Sequence, residues 1–149
     1  MNSSNHPITI AIVDDNAKDC MLFEEAFNEL GIKSRPKFFT SGNQFVDYIS
    51  HACSAQNKGE RHRPNLILLN WNLQGLNGKE ILNFLKSNSE LSDIPTIVLT
   101  NSSGKMEINN TYSCGANSFI VKPSKFDELK VIIRDLIQYW TGTVHLPPR

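Results

Sequence analysis

The sequence predicts an α/β fold: a five-stranded parallel sheet, doubly wound, in the order (βα)5. Three observations carry this. Short apolar runs alternate with helical patterns along the whole chain, and such alternation implies right-handed crossovers with helices on both faces of a parallel sheet. The run L-I-L-L at 66–69 is apolar at every position, which suits a central parallel strand covered on both sides. That run stops abruptly at Asn70 and a polar, glycine-bearing loop follows. Strand ends of this kind are where open α/β sheets place their chemistry.

The first strand is the β-branched run I-T-I-A-I-V at 8–13. D-D-N follows, and a helical pattern then runs from Ala17 to a stop at Gly31, with Met21, Leu22, Ala26, Phe27 and Leu30 on its apolar face. Residues 37–40 read as the second strand. The second helix covers 41–50, with Phe45, Val46 and Ile49 facing one way. The stretch 51–64, H-A-C-S-A-Q-N-K-G-E-R-H-R-P, is polar, basic and longer than the usual connection. Its basic residues around Arg61 and Arg63 read either as a phosphate-seeking patch or as a solvated loop. After the third strand at 66–69, the third helix spans 78–87, with Ile81, Leu82 and Leu85 inward. P-T-I-V-L-T at 95–100 is the fourth strand, 106–115 a weaker helix, and S-F-I-V at 118–121 the fifth strand. The final helix runs from Lys125 to about Trp140, apolar at Leu129, Ile132, Ile133, Leu136, Ile137 and Trp140. The terminal prolines end any helix beyond it.

The 149 residues are the size of one domain, with its core at about 8–140 and a tail at 141–149. No repeat, linker or second domain is expected. Formal net charge is zero, so bulk charge supplies no grip on nucleic acid or anionic membrane. Cys20, Cys53 and Cys114 lack C-x-x-C spacing and read as free thiols of a reducing, cytoplasmic compartment. His6, His51, His62 and His145 are scattered and form no zinc-ligand pair. The polar N-terminus has no signal-peptide core, and no run is long enough for a membrane helix.

In a parallel sheet the C-terminal strand ends share one edge. Asp14 and Asp15 fall there after the first strand, Asn70 after the third, Thr100 after the fourth and Lys122 after the fifth. Each has a plain structural reading alone; an acid after a strand is often a helix N-cap. Together, two acids, an amide, a hydroxyl and an ammonium converge on one point.

Over nearly its whole length the chain resembles the receiver domain of two-component response regulators. The pieces that carry the resemblance are I-A-I-V-D-D-N, N-L-I-L-L-N-W-N-L-Q-G-L-N-G, I-P-T-I-V-L-T-N and G-A-N-S-F-I-V-K-P, together with the spacing from Asn70 to Thr100 to Lys122. The loop before Pro64 and the ending resemble the single-domain receivers of phytochrome-type sensor kinases. The resemblance implies a flavodoxin-like, CheY-like fold and phosphoryl transfer from a kinase histidine to an aspartate after the third strand. It implies a signalling module rather than an enzyme.

Carried over residue by residue, Asp14 and Asp15 match the acidic pair that holds Mg2+, and the backbone carbonyl of Asn72 matches a further metal ligand. Thr100 matches the hydroxyl that moves to bind the phosphoryl group, and Lys122 the ammonium that pairs with its oxygens. Phe119 falls at the aromatic that changes rotamer on activation. Pro123 falls where a cis X-Pro bond is common.

Asn70 departs from the pattern, because it occupies the phosphoacceptor position. A carboxamide is neutral, holds its lone pair in resonance and is a poor nucleophile. Trp71 and Gln74 depart too, standing where a smaller apolar residue and a proline are usual. The implied function is therefore a phosphorelay receiver without its acceptor aspartate, acting through contacts with a sensor histidine kinase or a downstream protein. The alternative is an ordinary receiver whose aspartate has been exchanged for Asn70. Asn70 keeps a carbonyl oxygen, so Asp14, Asp15, Asn70 and Asn72 make a weakened Mg2+ site, with no organic cofactor. Against a flavin or nucleotide site, D-D-N-A-K-D lacks glycines and would repel phosphate. Trp140, Val144 and Leu146 leave two readings open, a homodimer contact or a tail packed on its own domain.

Overall fold

The computed structural model describes residues 7–52 and 63–148. The elements follow the expected order: β1 (Ile10–Val13), α1 (Ala17–Glu29), β2 (Pro36–Phe39), α2 (Gly42–Ala52), β3 (Leu66–Leu69), α3 (Gly78–Ser87), β4 (Thr96–Thr100), α4 (Lys105–Ser113), β5 (Ser118–Val121) and α5 (Phe126–Gln138). All strand pairs are parallel, and the sheet order is β2-β1-β3-β4-β5. The order reverses direction between β1 and β3, the crevice where open α/β sheets bind ligands.

Alternate residues of the strands feed two cores. Ala11, Val13, Phe39, Ile67, Leu69 and Val98 face α2 and α3, meeting Phe45, Ile49, Ile81, Leu82 and Leu85. Ile10, Ile12, Leu66, Leu68, Ile97 and Leu99 face α1 and α5, meeting Phe23, Phe27, Leu129 and Ile133. β3 is buried at every position, as its unbroken apolar run requires.

Three details correct the sequence reading. On α1 the inward stripe is Phe23, Ala26 and Phe27, while Met21 is 71% exposed. Met21 precedes Phe23 by two residues, slightly more than a half-turn on a helix, so the two face opposite sides. The last helix ends at Gln138, and Trp140 sits in a π-helical turn, Tyr139–Thr143. No peptide bond among the described residues is cis, so Lys122–Pro123 is trans. Trans is the lower-energy form of an X-Pro bond. Here Lys122 also keeps its backbone N–H on the Thr100 carbonyl at 2.8 Å before the chain turns into α5.

Gly31 stops α1 as expected. Its φ of 63° lies in the left-handed region, and the Gly31 and Ile32 amides reach back to the carbonyls of Asn28 and Phe27. Of the basic stretch, residues 53–62, including Cys53, Arg61 and His62, lie outside the described residues, as does His6. Arg63 is described: it bridges Asp93 at 3.3 Å and donates to the Glu90 carbonyl, so it braces the domain. No helix among the described residues is long and apolar enough to cross a membrane.

Candidate functional site

Register alone places the site. Val13 pairs with Leu69, so Asp14 and Asn70 leave the sheet side by side. Thr100 pairs with Val121, so Lys122 emerges beside Thr100. The ladder continues one step past the strands. Asp14 N–H donates to Phe39 O and Asn70 N–H to Val13 O, each at 2.9 Å. Both side chains therefore start from fixed backbone.

Asn16, and neither aspartate, is the N-cap of α1: its Oδ1 accepts from Asp19 N–H at 3.0 Å. That leaves Asp14 and Asp15 for other work. Asp14 is 2% exposed. Its Oδ1 accepts from Asn16 N–H at 2.9 Å and, at the long limit of 3.5 Å, from Asn70 Nδ2. Its Oδ2 lies 2.5 Å from Lys122 Nζ. The same ammonium lies 2.9 Å from Asp19 Oδ2. Asp15 is exposed, and its Oδ2 accepts from Gln74 N–H at 3.3 Å. This contact ties the loop after β1 to the loop after β3.

Burial pushes the Asp14 carboxyl up, and the Lys122 and Asn16 hydrogen bonds pull it partly back. For Lys122, burial alone would lower the pKa; the hydrogen bonds to Asp14 and Asp19 outweigh it and the net direction is up. The ammonium therefore stays charged. Cys20 lies behind the pocket with its Sγ 3.4 Å from the Asp14 carbonyl. Burial, with Asp14 adding to it, pushes this thiol up to about 11. It is no nucleophile at neutral pH.

Thr100 is fully buried, and its Oγ1 has no hydrogen-bond partner among the described residues. A buried hydroxyl left without a partner costs about 1–3 kcal/mol, so this one is poised for a group the fold itself does not supply. Phe119 is half-buried and packs against the core shared with α2 and α3. Asn72 is exposed in the loop two residues past Asn70. Trp71 is buried beneath that loop. Gly78 closes the loop with its amide on the Trp71 carbonyl at 3.0 Å. A Cβ at Gly78 would stand 2.7 Å from Trp71 Cα, so the close approach requires glycine.

The structure thus joins Asn70 and Lys122 each to Asp14, brings Asp15 in through Gln74, and sets Thr100 against Lys122 through the backbone. The sequence reading missed Asp19 and the Gln74 amide. An acid three residues after an N-cap was a visible sign for Asp19, although its partner lies 103 residues away. For Gln74 the signal was its place where proline is usual, which leaves a backbone N–H free to donate.

The donor set that remains is all oxygen: the carboxylates of Asp14 and Asp15, the amide oxygen of Asn70 and the carbonyl of Asn72. Hard oxygens suit Mg2+. Among the described residues no group of three or more His, Cys, Asp or Glu side chains stands ready for a metal. The set fits a divalent ion, but with few charges.

Known proteins resemble this chain in sequence and fold. The chain is 32% identical to the probable methanogenesis regulatory protein FilR2 of Methanothrix harundinacea, over 91% of this chain and 85% of that one. The phosphorylated cyanobacterial phytochrome response regulator RcpA superposes with a TM-score of 0.82 at 29% identity, covering 96% of this chain and all of that one. The Mn(2+)-bound form of response regulator Rcp1, a Synechocystis protein, superposes with a TM-score of 0.79 at 29% identity, covering 95% of this chain and all of that one. Residues 10–134 match the response regulator receiver domain, and with the acidic pair, Thr100 and Lys122 in place at the strand ends, the chain belongs to the receiver family of two-component signalling.

Proposed function

We propose that this chain is a receiver without an acceptor: a non-enzymatic, cytoplasmic signalling module that carries no acyl-phosphate and acts through protein contacts. The observation that carries the reading is Asn70. It follows β3 at the centre of the pocket, beside Asp14, where the family's transfer chemistry needs a carboxylate. Its amide is neutral and poorly nucleophilic. The pocket around it is otherwise equipped. Thr100 offers an unpartnered hydroxyl and Lys122 a charged ammonium.

Asp14, Asp15, Asn70 and Asn72 would hold Mg2+, whose charge screens phosphoryl oxygens when bound. That RcpA is phosphorylated and Rcp1 binds Mn2+ supports this assignment of the pocket. The partners are a sensor histidine kinase, of the phytochrome type, or a downstream signalling protein. Met106 and Tyr112 on α4, Val121 on β5, Val131 on α5 and Tyr139 in the turn after it are exposed apolar side chains, suited to such contacts or to a second copy of the chain. A monomer in sedimentation at high concentration would remove the homodimer from this reading.

The test is intact mass after incubation with a small phosphodonor and Mg2+, beside Asn70→Asp. The Asp variant gains one phosphoryl group and the parent gains none. A parent that gains one has another acceptor, and the proposal fails.

A further inference from the structure

Lys122 is the only cation hydrogen-bonded to Asp14 among the described residues, and it does not reach Asp14 alone. Its Nζ spans Asp14 Oδ2 at 2.5 Å and Asp19 Oδ2 at 2.9 Å, with its side chain 7% exposed. The Asp14 carboxylate is fully employed by this arrangement, since its other oxygen holds the Asn16 and Asn70 donors. A divalent ion that used Asp14 Oδ2 would have to displace the ammonium.

Asp19 is well placed to keep it there. Its backbone is fixed by the Asn16 cap in the first turn of α1. The helix itself is held against α5, the element that follows Lys122, through Phe23, Phe27, Leu129 and Ile133. On the other side of the pocket, Asn70 has no charge with which to draw the ammonium away. A carboxylate adds to the hydrogen bond a charge attraction for the ammonium that a carboxamide lacks.

We propose that Asp19 is a positioning residue: it anchors Lys122 across Asp14, where the ammonium serves as the pocket's resident cation and competes with a divalent ion. Asp19 supplies the counter-charge that an acid at position 70 would otherwise offer. This rests on the reading of the pocket as a receiver site with an amide in the acceptor seat. Its test needs no phosphodonor, so the two can fail separately.

The experiment is calorimetric titration of Mg2+ into the parent and Asp19→Asn at neutral pH and fixed ionic strength, with thermal unfolding to verify both folds. Simple electrostatics says that removing an acid weakens a cation site. Anchoring says the opposite, because a loosened Lys122 competes less. Asp19→Asn should bind Mg2+ about two- to five-fold tighter, the fold-change that corresponds to one partly exposed ion pair. The gain should vanish in a Lys122→Met background. Weaker binding or an unchanged titration in Asp19→Asn overturns the proposal, as does a gain that survives Lys122→Met. Lys122→Met leaves Asp14 buried and unpaired; if it fails to fold, the sign of the Asp19→Asn effect decides alone, since Asp19 is 24% exposed and accepts the amide without steric change.

Discussion

The two ends of the sheet are built from the same residue types and use them differently. β4 begins and ends on a threonine, and both are fully buried. At the N-terminal end, Thr96 Oγ1 donates to Ile94 O at 3.2 Å. At the C-terminal end, Thr100 Oγ1 has no partner among the described residues. The asparagines repeat the contrast. Asn65 precedes β3 and grips Thr9 twice, donating its N–H to Thr9 O at 2.7 Å and accepting Thr9 N–H on Oδ1 at 2.9 Å. Asn117 precedes β5 and grips Thr96 the same way, with both bonds at 2.9 Å. Asn70 follows β3, and its side chain makes one 3.5 Å contact with Asp14. A polar group that the fold satisfies is structural. One that the fold buries and leaves without a partner costs stability and calls for a reason, and at Thr100 the neighbouring Lys122 and Asp14 point to one.

The contrast breaks most visibly when these polar side chains are replaced. Asn117→Ala strips the Thr96 amide of its acceptor and should cost about 1–3 kcal/mol, or roughly 2–12 °C in Tm for a chain of this size. Thr96→Val should cost about 1 kcal/mol. Thr100→Val removes an orphaned hydroxyl and should be neutral or stabilising by up to about 1 kcal/mol. Denaturant midpoints at constant m-value measure all three. If Thr100→Val costs as much as Thr96→Val, the Thr100 hydroxyl has a partner in solution and the two ends do not differ.

Asn70→Asp sharpens the contrast by adding charge where the pocket is already acidic. Unit charges about 4 Å apart interact by about 4 kcal/mol at an effective dielectric of about 20. Desolvation and the nearby ammonium offset much of that. Without Mg2+ the variant should lose about 1–2 kcal/mol, the size of a shift of one pKa unit or slightly more. Saturating Mg2+ should restore part of it. Mg2+ affinity should rise about 10–100-fold over the parent. Equal Mg2+ titrations, or equal melting in both conditions, would show that position 70 does not share a charge cluster with Asp14 and Asp15.

How much of this was legible in the sequence follows the range of each interaction. The five βα units, the all-buried β3 and the line of strand-end residues were readable because apolar periodicity and strand ends are local. Gly31 was readable because a helix stop is local too. Met21 was placed inward and Phe23 overlooked because so many positions of α1 are apolar that the pattern admits more than one face; only α5 and the sheet select Phe23, Ala26 and Phe27. Asp14, Asn70 and Lys122 were rightly gathered by topology. The pairing of Lys122 with Asp19 was not, because it depends on how α1 packs beside the start of α5. Pro123 was expected in a cis bond by resemblance, and the trans bond depends on the particular path from β5 to α5.

The smallest effect concerns Gln74, where the family resemblance leads one to expect proline. Here a backbone N–H at position 74 donates to Asp15 Oδ2 at 3.3 Å, a bond that proline cannot make. The loop after β3 thus occupies one oxygen of the second acid, as Lys122 occupies one of the first. An exposed bond of this length contributes about 0.5 kcal/mol at most. Gln74→Pro should therefore tighten Mg2+ only about two-fold. Trp71, buried beneath the same loop, provides a fluorescence signal for the titration. Gln74→Ala retains the N–H and should leave the affinity where it was. If alanine and proline act alike, the side chain matters and the backbone bond does not. If proline alone tightens the site, both acids of the pair are held in check by donors of this chain, one an ammonium and one an amide, and the C-terminal end of the sheet is less open to a metal than its carboxylates suggest.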